Sequence, residues 1–286
     1  MSHSLPMTCL ASGMSVGNES LAGRVSQSSR DKATAVSAVD RAISNLVVVT
    51  RMTGSVSADW EPQHGLILTA SAVAIAEDFV RSILADVVTL CPLAAERSYE
   101  LDTRMEFVFE GDPSEALRGV LDKQSFSSRT TVTEWLKRLL GKPVAKNSTL
   151  DTLLADFERV SHIRHCAVHA GGYISGHNAK NLGVPRGHWI SFAEPGAVHE
   201  VIATVASTVR TVNQFVFESV VSSWIDQQVL CGVWSVDKLR FDPLYRALVS
   251  LEDSESSRFN PQSVRIRERS YDSYRSIQKA VVSRNA

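Results

Sequence analysis

From Leu150 to Gly172 the chain reads LDTLLADFERVSHIRHCAVHAGG, and the fold follows from how this stretch is read. Leu150, Leu153, Leu154, Phe157 and Val160 recur at three- and four-residue spacing, the period of a helix with one buried face, and Gly171-Gly172 stops it. A helix of this kind needs other helices to cover its stripe, and the flanking sequence supplies them. From Asp31 the residues Val36, Val39, Ile43, Leu46 and Val47 predict a helix that ends near Thr53-Gly54-Ser55. A second, central helix is expected from about His64, just after Pro62, to Leu90, because the residue preceding Pro92 is pushed out of helical geometry. Thr131 and Glu134 form a capping box for a short peripheral helix carrying Trp135, Leu136, Leu139 and Leu140. Val198 to about Leu230 is the longest periodic segment, and Leu244, Ala247, Leu248 and Leu251 mark one more amphipathic piece. Strand signals are weak throughout, so the expected class is an all-α helical bundle.

Composition narrows the function. With 286 residues, 44% hydrophobic and 21% charged, the chain is an ordinary globular protein rather than a disordered one. Thirty basic residues stand against thirty-one acidic ones, so any nucleic-acid contact must come from a local patch. Cys9, Cys91, Cys166 and Cys231 show no zinc-ribbon or disulfide spacing and are expected to be reduced. The Ser-rich segment 1–30 contains no aromatic residue and is expected to be a mobile tail; it has no signal-peptide pattern, which points to the cytoplasm. Leu66 to Ala76 is apolar but soon meets Glu77, Asp78 and Arg81, so it reads as a buried helix and no membrane association is expected.

The residues that could carry chemistry cluster at the end of the opening stretch. Arg164 stands four after Val160 and seven after Phe157, which places a guanidinium on the apolar stripe. A buried arginine needs an anion, and Glu77, four after Val73 and seven before Leu84 on the central helix, is the expected partner. A structural ion pair fixing helix register is the plain alternative. His162, His165 and His169 fall at i, i+3 and i+7 and so project along one helix face. That face suits anion handling, though a merely solvated polar face has the same pattern. His165 and His169 also have the spacing of a helical metal pair, yet no intervening acid and no further acidic ligand accompany them, so no metal and no cofactor are expected.

The run Arg164-His165-Cys166-Ala167-Val168-His169 resembles the R-x(4-6)-H motif of HEPN-superfamily ribonucleases, and Arg-x-x-x-Val-His-x-Gly is most similar to the RiboL-PSP-like branch. The upstream Ala76 to Arg81 run resembles the acidic position on that family's first core helix. The resemblance covers about residues 31 to 230. Two features depart from the pattern: His165 stands where the family often has a small polar amide, and the H-x-Tyr arrangement of toxins modified by a nucleotidyltransferase antitoxin is absent.

The resemblance implies an up-and-down bundle of HEPN type over 31–230, between the tail 1–30 and a helical, basic C-terminal extension over 231–286. It implies a metal-independent endoribonuclease in which His169 acts as base on a ribose 2′-hydroxyl, Arg164 binds the scissile phosphate and Glu77 orients it. His165 is a second imidazole for the leaving group or a phosphate contact. His162, Lys180 and Arg186, with His188, are expected RNA contacts. Residues five apart lie about 140° apart around a helix, so Arg164 and His169 cannot share one face, and the family's answer is a homodimer with a composite cleft. A toxin or antiviral defence role, with a cognate antitoxin or defence-system partner, also comes from the resemblance alone. The competing expectation is a non-catalytic HEPN-like nucleotide- or RNA-binding or adaptor protein.

Overall fold

The computed structural model describes residues 36–101, 113–250 and 263–285. Among them are ten α-helices, one 3₁₀ turn and no strand, so the all-α expectation holds. The Ser-rich segment 1–30, the start of the first helix at Asp31, Leu251 and Arg258 lie outside the described residues.

Helix α1 (Ala38–Ser55) begins at Ser37, whose hydroxyl accepts the Asp40 N–H at 3.2 Å. Its buried stripe is Val39, Ala42, Ile43, Leu46 and Val49, whereas Val36 precedes the helix and Val47 sits on its outer face, both exposed. The expected stripe was therefore right in period and wrong at those two positions, because single apolar side chains are common on solvent faces and do not by themselves mark the buried one.

Helix α2 (Pro62–Leu90) starts with proline at its first position, where the missing N–H costs nothing, and ends at Cys91 before Pro92. It is the central helix: it packs against α1, against α6 (Thr149–Ala170) and against α8 (Pro195–Asp226), and α8 in turn touches α1 and α6. Val73, Ile83, Leu84 and Val87 of α2 are fully enclosed, as are Val205, Val209, Val212 and Val216 of α8. Short helices α3 (Pro92–Ser98) and α4 (Pro113–Asp122) follow α2 and pack on it. The α8 helix ends at Asp226 rather than near Leu230, since Gln228 turns left-handed at φ +55° and the Val229 N–H returns to the Trp224 carbonyl.

Helix α5 (Arg129–Leu140) corrects the capping-box reading. Ser128 occupies the N-cap position, Thr131 lies inside the first turn, and the Arg129 N–H is accepted at 3.2 Å by the Glu158 carboxylate of α6. An acidic group at a helix N-terminus satisfies free donors and the dipole alike, but this one comes from another element and leaves no local signature. The stretch after Gly172, expected as a loop, contains helix α7 (Gly176–Leu182).

The opening stretch behaves as read. The α6 helix is capped by Ser148 and closed by Gly171 at φ +55° and Gly172 at φ +97°, with the Gly172 N–H reaching back to the Cys166 carbonyl at 2.9 Å. A Cβ at Gly172 would also meet a Leu66 methyl at 3.1 Å, so this end is fitted against α2.

Helices α9 (Trp234–Leu248) and α10 (Ser263–Asn285) pack on each other, and Phe241, Leu244, Tyr274 and Val281 join the same apolar core as the bundle. Asp237 ties them in. It accepts the N–H groups of Cys231 and Gly232 and the Tyr274 hydroxyl, the last at 2.6 Å.

Candidate functional site

The third to fifth turns of α6 form one wall of a cleft of about 170 Å³. Glu158, Ser161, His162, Arg164 and His165 line that wall, and two other elements close it: the segment 123–128 between α4 and α5, and the start of α7. The volume lies below the roughly 300–1,000 Å³ of small-molecule pockets, so it suits a phosphate-sized group rather than a whole nucleotide.

Segment 123–128 is held by Phe126, whose ring is fully buried between Arg81, 5.7 Å from the ring centre, and Trp135. Arg81 also donates to the Gln124 carbonyl at 3.1 Å. With Phe126 anchored, its neighbours Ser125, Ser127 and Ser128 are left facing the cleft. The Ser125 hydroxyl donates to Glu77 Oε1 at 3.4 Å and lies 2.6 Å from the Ser127 hydroxyl. Glu77 is buried as expected, but among the described residues no ion pair joins it to Arg164. The expected inward pair is corrected to a carboxylate that orients serine hydroxyls, because segment 123–128 comes between α2 and the arginine's cleft.

The α7 helix contributes Asn178, only 2% exposed. Its amide N–H faces Ser175 Oγ at 3.4 Å, which turns its oxygen toward His162 Nδ1 at 3.2 Å. In that arrangement Nδ1 carries the proton and Nε2 is left for a ligand. His177 packs edge-on to His162 with ring centres 5.7 Å apart and is also in the cleft lining.

His165 lines the cleft and stacks obliquely on His169, ring centres 4.6 Å apart. Partial desolvation comes first, then electrostatic repulsion from His169, His162, Arg164 and His177, and together they hold the His165 pKa below the ordinary imidazole value of 6.5. At neutral pH it is therefore an unprotonated imidazole beside a guanidinium.

Arg164 is half-buried, and among the described residues its guanidinium makes no ion pair; Glu158, the carboxylate in the same lining, accepts the Arg129 N–H. His169 is exposed in the last turn of α6 and does not line the cleft, in keeping with its angular separation from Arg164. Lys180 on α7 and Arg186 beyond it are exposed and lie outside the lining. Among the described residues no three His, Cys, Asp or Glu side chains converge in a way that could hold a metal ion.

Sequence reasoning missed Ser125, Ser127, Ser128, Glu158, His177 and Asn178. The S-x-S-S cluster around Phe126 was the available signal, but on its own it reads as a surface turn.

The cleft thus brings one guanidinium without an ion pair, three imidazoles, several hydroxyls and the Glu158 carboxylate to a space of phosphate size, an arrangement able to bind an oxyanion and move a proton beside it. No helix among the described residues is long and apolar enough to cross a membrane. Comparison of the chain with family models, with curated proteins and with solved structures yields no match.

Proposed function

We propose that this protein is a metal-independent endoribonuclease of HEPN type, working as a homodimer in the cytoplasm. The observation that carries the reading is the convergence of Arg164 with His162 and His165 in one small cleft, where the arginine makes no ion pair among the described residues and the lining carboxylate, Glu158, accepts the Arg129 N–H instead. Arg164 binds the scissile phosphate through its planar fork and stabilises the charge that builds on the non-bridging oxygens. His165, held unprotonated and in the lining, takes the base role that the motif alone assigns to His169. It removes the proton of the ribose 2′-hydroxyl; O2′ then bonds to phosphorus as the bond to O5′ breaks. His169 of the second chain supplies the proton that the departing O5′ takes up, since in its own chain it stands outside the cleft. The products carry a 2′,3′-cyclic phosphate and a 5′-hydroxyl. Glu77 acts through Ser125, and His162 is a phosphate contact set by Asn178. A toxin or antiviral defence role, restrained by a cognate antitoxin or defence-system partner, fits such an activity.

Incubation of the purified protein with RNA in excess chelator tests this. Cleavage giving cyclic-phosphate ends is expected, and its absence with and without added metal ions overturns the reading. Because His169 stands outside the single-chain cleft, mixing excess Arg164→Ala, His169→Ala double-variant chains with wild-type chains should depress cleavage through mixed dimers. A monodisperse monomer cutting at full rate rules out the dimer. That same position of His169 favours a second reading, a non-catalytic HEPN-like nucleotide- or RNA-binding or adaptor protein, which would bind the same RNA and leave it intact.

A further inference from the structure

Beyond the cleft, the chain from Tyr173 to Ile190 folds back on itself. The Ile174 N–H donates to the His188 carbonyl and the Ile190 N–H to the Gly172 carbonyl, so Tyr173 and Trp189 face each other as the pair between two bonds of an antiparallel bridge. In such a pair the side chains lie closest and on the same side. Ile174, on the opposite side, is buried with Cys166 and Ala179. That burial anchors the bridge and turns both aromatic rings outward: Trp189 is 65% exposed and Tyr173 41%, set edge-to-face with centres 5.6 Å apart. Two large rings held rigidly in solvent gain nothing for the fold from their open faces.

The charge of the surrounding chain is one-sided. From Arg159 to Ala193 there is no aspartate or glutamate, while Arg159, Arg164, Lys180 and Arg186 and five of the protein's eight histidines fall there, in a chain of net charge −1. Lys180, Arg186 and His188 are exposed. The bridge and the cleft share this segment: four residues separate Tyr173 from His177 of the cleft lining, a reach of at most about 14 Å.

We propose that Tyr173 and Trp189 form a stacking platform for a base of single-stranded RNA whose phosphates run over Arg186, His188 and Lys180 into the cleft. Open aromatic faces beside exposed basic side chains are the elements by which proteins hold single strands without reading sequence. Duplex RNA is not a substrate on this view, since its bases are already stacked on one another. The inference rests on the ribonuclease reading for the direction of the strand, but the platform itself is tested by binding alone.

The probe is a 2′-O-methyl oligouridine 12-mer, which lacks the attacking hydroxyl, compared by fluorescence anisotropy with an abasic oligomer of the same length. Wild-type protein should bind the base-bearing oligomer more tightly. Trp189→Ala with Tyr173→Ala should weaken that binding about 5- to 100-fold and leave the abasic oligomer's affinity nearly unchanged. Trp189→Phe should retain most of the preference, which excludes unfolding as the cause. A wild-type protein that holds both oligomers equally, or that binds neither, overturns the platform and leaves the exposed pair to a protein partner. So does a preference that survives the double substitution. Cleavage of unmodified RNA is scored separately: base-dependent binding without cleavage removes the nuclease reading and keeps the platform, and cleavage without base-dependent binding does the reverse.

Discussion

Two places in this molecule gather polar groups beside a helix, and they treat them in opposite ways. At Asp237 the carboxylate is surrounded by donors: two backbone N–H groups and the Tyr274 hydroxyl converge on it in the core. Burial pushes its pKa upward, but the bonds from Cys231, Tyr274 and Gly232 outweigh that and hold it below the carboxylate norm. Burial, then Asp237 itself, pushes the Tyr274 phenol up. Every group there answers another. In the α6 cleft the one lining carboxylate, Glu158, is engaged by the Arg129 N–H, and a guanidinium and three imidazoles share the small space, with His165 depressed by partial desolvation and by its basic neighbours. Satisfied polar groups hold a fold together, whereas crowded like ones store affinity for an anion that is not part of the chain.

If that contrast is right, substitutions at the two places should separate activity from stability. The largest effect is expected from Arg164→Ala, which should lower the RNA cleavage rate by about 10²- to 10³-fold, the usual loss on removing a transition-state charge donor, with the melting temperature close to wild type. Calorimetry alongside a cleavage assay checks both halves; a large fall in stability with activity per folded molecule preserved would erase the distinction. Asp237→Ala should do the reverse. It leaves two N–H donors and a phenol without their acceptor and should cost about 2–4 kcal/mol in urea unfolding, while whatever protein remains folded cleaves at the wild-type rate.

The smallest expected effect concerns pH. The folded pKa of His165 lies below its unfolded value near 6.5, so as pH falls through 6.5 the unfolded chain takes up the proton first. Stability therefore declines on the acid side of 6.5 and levels off below the folded pKa. Since the ring is exposed, the slope should be shallow, and it should be missing in His165→Gln. The same depression places the acid limb of the cleavage profile below pH 6.5. A limb at or above 6.5, unchanged in the glutamine variant, would take the base role away from His165.

The helices were legible because their information is local. Proline at the start of α2 and the glycine pair behind α6 act through the backbone of the residues beside them, and the apolar period of α6 needs no knowledge of its partner. Where a helix end depends on another element the reading failed, as with α5, whose first N–H is met by Glu158 of α6. For the site, Arg164 and the histidines of α6 could be singled out from their spacing along one helix.

By itself, then, the sequence determined an all-helical class, the C-terminal limits of α1, α2 and α6 and a basic, histidine-bearing end on α6. Only the tertiary structure decided what faces that end. Anchoring of Phe126 brings three serines to the cleft, Asn178 from α7 sets the ring of His162, and segment 123–128 routes Glu77 to Ser125 instead of to Arg164. The physical reason is range: periodicity and capping act within a few residues, whereas hydrogen bonds between elements link residues such as Glu77 and Ser125, forty-eight positions apart, that nothing in the chain order pairs.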